Sequence, residues 1–301
     1  MSETIAVKRD SSDRIVKKDS YYRDVLKRFT AHKLAMLGLA IILLEVLLVV
    51  ILPVVMKLDP YTSDIQAFGA APSAEHFLGT DDTGRDIFAR LIYGGRVSLL
   101  VGLLSAIISL CIGVPLGLLA GYYKGIWETI VMRAADIFMS FPSMILILVL
   151  VSLIGPSVWT VTLVIGVLGW TDFAKLIYGN VLSVREKEYV ESAKAVGTKD
   201  LAILIKYIIP NAFAPILINF TFRTAQAIIQ ESALSFLGMG VQPPQASWGN
   251  ILYAAQSITV LSSKPWLWIP PGILLILTVC SINFIGDGIR DALDSKMKIK
   301  K

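Results

Sequence analysis

Runs of about 20 mostly apolar residues recur along this chain, and they limit what it can fold into. A helix of that length crosses the ~30 Å hydrocarbon core of a bilayer. Hydrophobic residues make up 55% of the sequence and charged residues 17%. Soluble domains carry roughly 25% charged residues, so this chain lacks the surface charge of one. The expectation is an all-α polytopic membrane protein with six transmembrane helices, at about 34–56, 97–121, 130–154, 157–180, 212–236 and 267–289. "LIGPSVW" marks a tight hairpin between the third and fourth.

The formal charge of +5 does not point to a nucleic-acid partner, because the basic residues flank the apolar runs. With the N-terminus inside, the inner segments hold Lys8, Arg9, Lys17, Lys18, Lys124, Arg185, Lys187, Lys194, Arg290 and many more cations. The outer ones hold only Lys57, Arg85, Arg90, Arg96 and Lys264. That asymmetry predicts cytoplasmic termini in a prokaryotic plasma membrane. It divides the chain into a cytoplasmic segment 1–33, a first span 34–56 and an extracellular segment 57–96. A five-helix core 97–289 follows, with a cytoplasmic loop 181–211 and an extracellular segment 237–266, and then a tail 290–301. The first run follows some 30 polar residues without a small-residue cleavage site, so it reads as a retained span. Cys111 and Cys280 lie apart in apolar runs and form no disulfide or metal pattern.

The loop 181–211 is unlike its surroundings. "EYVESAKAVGTKDLAILIKYIIPNAFAPI" begins at Glu188 and is charged and broken by glycine. Residues 186–196 read as a helix with acidic residues in its first turn, where the helix dipole favours them. Gly197 supplies a bend. A second helix starts near Thr198, with Leu201, Ile205 and Ile208 along one stripe, and Pro210 ends it. Two short helices around a sharp bend either present side chains to a partner below or lie on the lipid surface.

The loop resembles the cytoplasmic "EAA" loop of ABC-importer permeases: Glu191, Ala193, Gly197 and Pro210 match in register, with Ser192 for the central Ala. "HFLGTDDTGRDIFARLIYGGRVSL", "AADIFMSFPSMILIL", "ESALSFLGMGVQPPQASWGNIL" and "NFIGDGIRDALD" are similar to the C-type permease of the dipeptide/oligopeptide/nickel importer group, over about residues 20–295. The resemblance implies a type I importer permease working with a homologous second permease, two cytoplasmic ATPases and an extracellular solute-binding protein. ATP and magnesium would be used by the ATPases, with no cofactor, metal or catalytic group on this chain. It implies a coupling helix at Glu191, Ser192, Ala193, Ala195 and Gly197, with Asp200 and Pro210 in the same loop. The cargo it implies is a di- or oligopeptide, with nickel complexes or glutathione as alternatives. A secondary transporter would need ionisable groups near the midplane, and only Glu45 clearly qualifies. A membrane enzyme has little support, since His32 and His76 pair with no evident nucleophile.

Other residues carry narrower expectations. "GTDDTGRD" has phosphate-loop glycine spacing, but Asp86 would repel phosphate and no strand precedes it, so a packed turn is expected. Glu45 reads either as a substrate or proton site or as a partnered group at a helix contact. Glu231, with Gln230, Gln226 and Arg223, lines the pathway or meets the second permease. Asp172 and Lys175 are spaced for a local ion pair. Gly102, Gly113, Gly117, Gly166 and Gly169 permit close helix approach, Pro115 and Pro142 mark kinks, and Trp248, Trp266 and Trp268 read as interface anchors.

Overall fold

A computed structural model of the chain describes residues 21–293; the remaining parts of the expected segments 1–33 and 290–301 lie outside the described residues. Thirteen α-helices run in order: α1 (Tyr21–Ala31), α2 (Lys33–Val55), α3 (Ile87–Tyr123), α4 (Gly125–Met139), α5 (Ser143–Ile154), α6 (Val158–Leu168), α7 (Trp170–Arg185), α8 (Glu188–Ala195), α9 (Asp200–Ile203), α10 (Ile209–Phe236), α11 (Trp248–Leu252), α12 (Ile258–Ser263) and α13 (Pro265–Leu293). Among the described residues, five stretches are long and apolar enough to cross a membrane: Lys33–Val55, Ile87–Tyr123, Val158–Arg185, Asp200–Phe236 and Pro265–Leu293. The bent pair α4 and α5 makes a sixth if it is counted as one span.

Two expected spans differ in form. The third is broken by 88° between α4 and α5. Pro142 lacks an N–H and disfavours helical backbone in the residue before it. The second span starts ten residues earlier than expected, because Asp86 caps α3 by accepting the Ala89 N–H at 2.7 Å.

α3 is the central helix, and its long contact with α7 depends on missing side chains. A Cβ at Gly113 would lie 2.4 Å from the Trp170 carbonyl oxygen, and one at Gly117 would lie 2.6 Å from that of Ala174. Small residues four apart let helix backbones touch, and dispersion then does in lipid what burial does in water. On the other flank α2 lies against α13, with Thr278 Oγ1 donating to Glu45 Oε2 at 2.8 Å.

Between α2 and α3 the segment with "GTDDTGRD" is a packed turn. Asp81 Oδ1 accepts from Thr83 N–H at 2.9 Å and Arg85 N–H at 3.0 Å, while Oδ2 takes Arg85 Nε at 2.8 Å. Burial would raise the Asp81 pKa, but the Thr83 hydroxyl, these N–H groups and Arg85 together hold it below the usual carboxylate value. His76 Nδ1 lies 2.9 Å from Asp86 and Nε2 lies 3.5 Å from Asp64. After α10, the segment 237–264 folds back as α11, a 3-10 turn and α12. Trp248 departs from the interface role expected of it: it is 1% exposed and donates from Nε1 to the Leu91 carbonyl at 3.1 Å.

Two predictions follow from this packing. Overpacking of this kind costs about 1–3 kcal/mol, so Gly113→Val should lower the thermal midpoint in detergent. Gly179→Val, with nothing within 4 Å of its Cβ, should leave that midpoint nearly unchanged. The Asp86 bond raises the His76 pKa, against the cost of burial. A raised value means the ion pair stabilises fully below the unfolded pKa of about 6.5 and fades as pH climbs through the folded value. His76→Gln should therefore lower the midpoint more at pH 6 than at pH 9; equal losses at both would contradict this.

Candidate functional site

The charged stretch after α7 forms a fixed knuckle. α8 carries Glu188 and Glu191 in its first turn and Lys194 in its last, matching the helix dipole. It closes on Gly197 at φ +80°. The Gly197 N–H reaches the Lys194 carbonyl at 2.9 Å, and the Thr198 N–H reaches that of Ala193 at 3.0 Å. This is a Schellman cap, which needs a left-handed residue at that position. α9 then leads through a π-helical turn, Leu204–Ile208, directly into α10.

Two kinds of contact fasten the knuckle. Val190 of α8, Ile203 of α9 and Ile208 of the π-turn are all fully buried with Ile177 and Val181 of α7 and Tyr122 of α3. Polar links add direction: Tyr122 Oη donates to Asp200 Oδ1 at 2.6 Å, and Arg185 Nη1 donates to the Tyr122 carbonyl at 2.9 Å. Lys194 Nζ lies 4.9 Å from the Tyr122 ring centroid. Desolvation there, then Arg185 nearby, lowers the Lys194 pKa.

The structure sorts the residues expected to couple. Glu191, Ser192, Ala195, Val196 and Gly197 are exposed on the bend, Val196 to 86% and Leu201 beyond it to 67%. Ala193 instead packs partly buried against the core, so it shapes the underside. Asp200 is exposed yet bonded to Tyr122. Pro210 does not end a helix; it lies in the first turn of α10, beside Phe29 and Leu293 in a separate groove. The expected stripe also shifts. Leu201 and Ile205 are exposed, while Ile203, Leu204 and Ile208 are buried, because the π-turn bonds Ile209 N–H to Leu204 O and adds a residue to the turn.

A second site lies at the break between α4 and α5. Arg223, halfway along α10, is 5% exposed and borders a cavity of about 230 Å3 with Asp172, Gln226, Gln230 and Phe141. Its Nη2 donates to the Ile165 carbonyl at 2.8 Å. Nη1 lies 3.6 Å from Asp172 Oδ2 and 3.4 Å from Gln226 Oε1. Gly169 makes room, since a Cβ there would lie 2.2 Å from Arg223 Nη2. Gln226 is exposed and Gln230 buried.

Several expectations are corrected here. Glu231 is fully buried within the chain, accepting from Ser98 at 2.9 Å and Ser235 at 2.7 Å, and so ties α10 to α3. Glu45, open between two readings, is 6% exposed at the α2–α13 contact, where Oε2 accepts from Thr278 and Oε1 is buried without a hydrogen-bond partner among the described residues. Asp172 and Lys175 do not pair with each other. Asp172 faces buried Arg223, and Lys175 reaches Asp136 at 2.8 Å, because the neighbouring helices α10 and α4 offer the opposite charge. Sequence reasoning does not group Asp172 and Gly169 with Arg223, which both adjoin. A lone arginine in an apolar run signals an unseen carboxylate, and Asp172 lies in the adjacent span.

Residues 113–299 match the binding-protein-dependent transport system inner membrane component family, and residues 20–72 match the N-terminal TM domain of oligopeptide transport permease C. The oligopeptide transport system permease protein OppC of Bacillus subtilis is 37% identical over 99% of this chain and 97% of its own. The dipeptide transport system permease protein DppC of Alkalihalophilus pseudofirmus is 40% identical over 93% and 91%. Among solved structures, an inward-facing form of the MetNI methionine ABC transporter superposes with a TM-score of 0.56 at 19% identity, covering 68% of this chain and 97% of the matched one.

The fastening of α9 predicts a local effect. Tyr122→Phe removes one charge-assisted hydrogen bond, worth about 1.5–3 kcal/mol, so amide exchange in residues 199–205 should quicken about tenfold or more. Exchange in the middle of α3 should not change; unchanged exchange in 199–205 would contradict the fastening role.

Proposed function

The chain belongs to the binding-protein-dependent transport system inner membrane components, and on that footing we propose that its knuckle receives the stroke of a partner ATPase and passes it to α3, α7 and α10. The protein is a membrane permease subunit of an ABC importer. Its work is transport rather than catalysis, with ATPase and binding-protein partners. The finer reading places Glu191, Ser192, Ala195, Val196 and Gly197 in a cleft of the ATPase, with α8 as the coupling helix. A homologous second permease completes the pathway, ATP and magnesium stay on the ATPases, and both termini face the cytosol.

One observation carries this reading. The exposed bend is rigidly tied to the bundle through buried Val190 and the Tyr122–Asp200 bond. A lever transmits displacement only if its root does not yield, and rigid-body rocking of packed helices is a recognised way to alternate access. α8 seats Val190 inward on the bundle and leaves Glu191 and Ser192 exposed, and the apolar residues that stay outside, Val196 and Leu201, supply the contacts a protein cleft would cover. The cargo is a di- or oligopeptide, by analogy with OppC and DppC, two relatives named for such transport.

Gly197→Val tests the lever in the complete complex reconstituted in liposomes. No atom lies within 4 Å of a Cβ there, so any effect arises from the left-handed backbone, which a β-branched residue resists. Membrane insertion should be normal and ATP hydrolysis should continue, while uptake per ATP falls about tenfold, the equivalent of ~1.4 kcal/mol of strain. Normal uptake per ATP would contradict the reading, as would ATP-independent uptake by this chain alone.

A further inference from the structure

Arg223 is the most unusual charge in the bundle. An arginine in the middle of a spanning helix costs about 2.5–3.5 kcal/mol on insertion scales, and such groups normally pair fully. Arg223 does not. Of its five N–H donors, one bonds the Ile165 carbonyl at 2.8 Å and another reaches Gln226 at a long 3.4 Å. Nε is buried without a partner. Asp172, its counter-charge, stands 3.6 Å away and is 41% exposed, so it balances charge without closing a two-point bond. The neighbouring Gln230 is in a similar state, with Oε1 buried and unpartnered. These groups border one cavity of about 230 Å3, beside the exposed rings of Phe138 and Phe141 at the α4–α5 break.

Buried polar atoms left unsatisfied in a folded protein mark a missing partner. Here the unspent atoms are guanidinium donors with an amide acceptor beside them, next to a carboxylate. A planar guanidinium matches a carboxylate at two points, while a free amide oxygen takes an N–H. We propose that Arg223 is a cargo-binding residue of the translocation pathway, which takes the C-terminal carboxylate of a passing peptide, with Gln230 receiving a backbone N–H. Gly169 clears the space and the Ile165 carbonyl aims the fork. Asp172 keeps the site neutral when empty and yields Arg223 when the carboxylate arrives. Loose geometry suits passage, because a pathway site must release what it holds. The inference rests on the peptide-import reading above.

The test uses the complete importer in liposomes, supplied with its solute-binding protein and a labelled tripeptide in two forms, free acid and C-terminal amide. The binding protein is identical in every sample, so its own preference cancels when the free-acid to amide uptake ratio is compared between variants. Arg223→Gln should lower that ratio about tenfold or more, since loss of the charged contact removes at least ~1.4 kcal/mol, and Arg223→Lys should lower it less. ATP hydrolysis stimulated by the loaded binding protein should persist. An unchanged ratio in Arg223→Gln overturns the inference while leaving peptide import standing. Failure of the unaltered complex to import either form overturns peptide import itself and the inference with it. If Arg223→Gln does not assemble with its partners, Asp172→Asn decides: removal of the competing carboxylate should raise the ratio, and an unchanged ratio there overturns the inference.

Discussion

The seating of Val190 among Ile177, Val181, Ile203 and Ile208 is the contact on which the rest depends. It makes eight residues of α8 a continuation of the helix bundle rather than a loop beside it. Four of its partners come from α7, α9 and the π-turn, and Tyr122 brings α3 into the same cluster. Displacement of the bend therefore displaces the roots of three long helices together. The Schellman cap at Gly197 serves the same end, since it turns the chain without leaving carbonyls that would loosen the helix end.

Farther into the bundle, backbone contact replaces side-chain volume. α3 and α7 meet where glycines leave carbonyls against Cα atoms, so the pair packs backbone to backbone. The helices are interrupted at the 88° bend near Pro142 and at the step at Gly169 between α6 and α7. Both breaks border the Arg223 cavity. Polar atoms thus gather where the helices are interrupted, and continuous helices enclose the rest. Glu231 and Glu45 show the contrasting use of a carboxylate in a span. Glu231 accepts from Ser98 of α3 and from Ser235 of its own helix, while Glu45 joins α2 to α13 through one oxygen, bonded to Thr278.

The six apolar runs were legible because a membrane imposes length and hydropathy on each span separately. The knuckle was legible because glycine and charge interrupt an apolar context. What escaped depended on neighbours. The exposed and buried sides of residues 201–208 follow from a π-turn that no periodicity announces, and Pro142 marks the place of the 88° break without announcing its angle. Asp172 was read against Lys175, its neighbour along the helix, whereas its partner Arg223 is 51 positions away across a helix contact. Trp248 looked like an interface anchor by residue type, yet its ring is sealed beneath α3 and α13 by the fold-back of 237–264.

All of this requires the bend to lie on the cytosolic side, where ATPases are found. The direct measurement places a single cysteine at Ala195, with Cys111 and Cys280 replaced by alanine, and exposes intact cells to a membrane-impermeant maleimide. Ala195 is exposed on the bend, so in cells that express this chain without its ATPases, whose cleft would cover the thiol, accessibility depends on sidedness alone. The account predicts no labelling of intact cells and full labelling of inverted vesicles. Labelling in intact cells would put the knuckle on the outer face and contradict the account at its root.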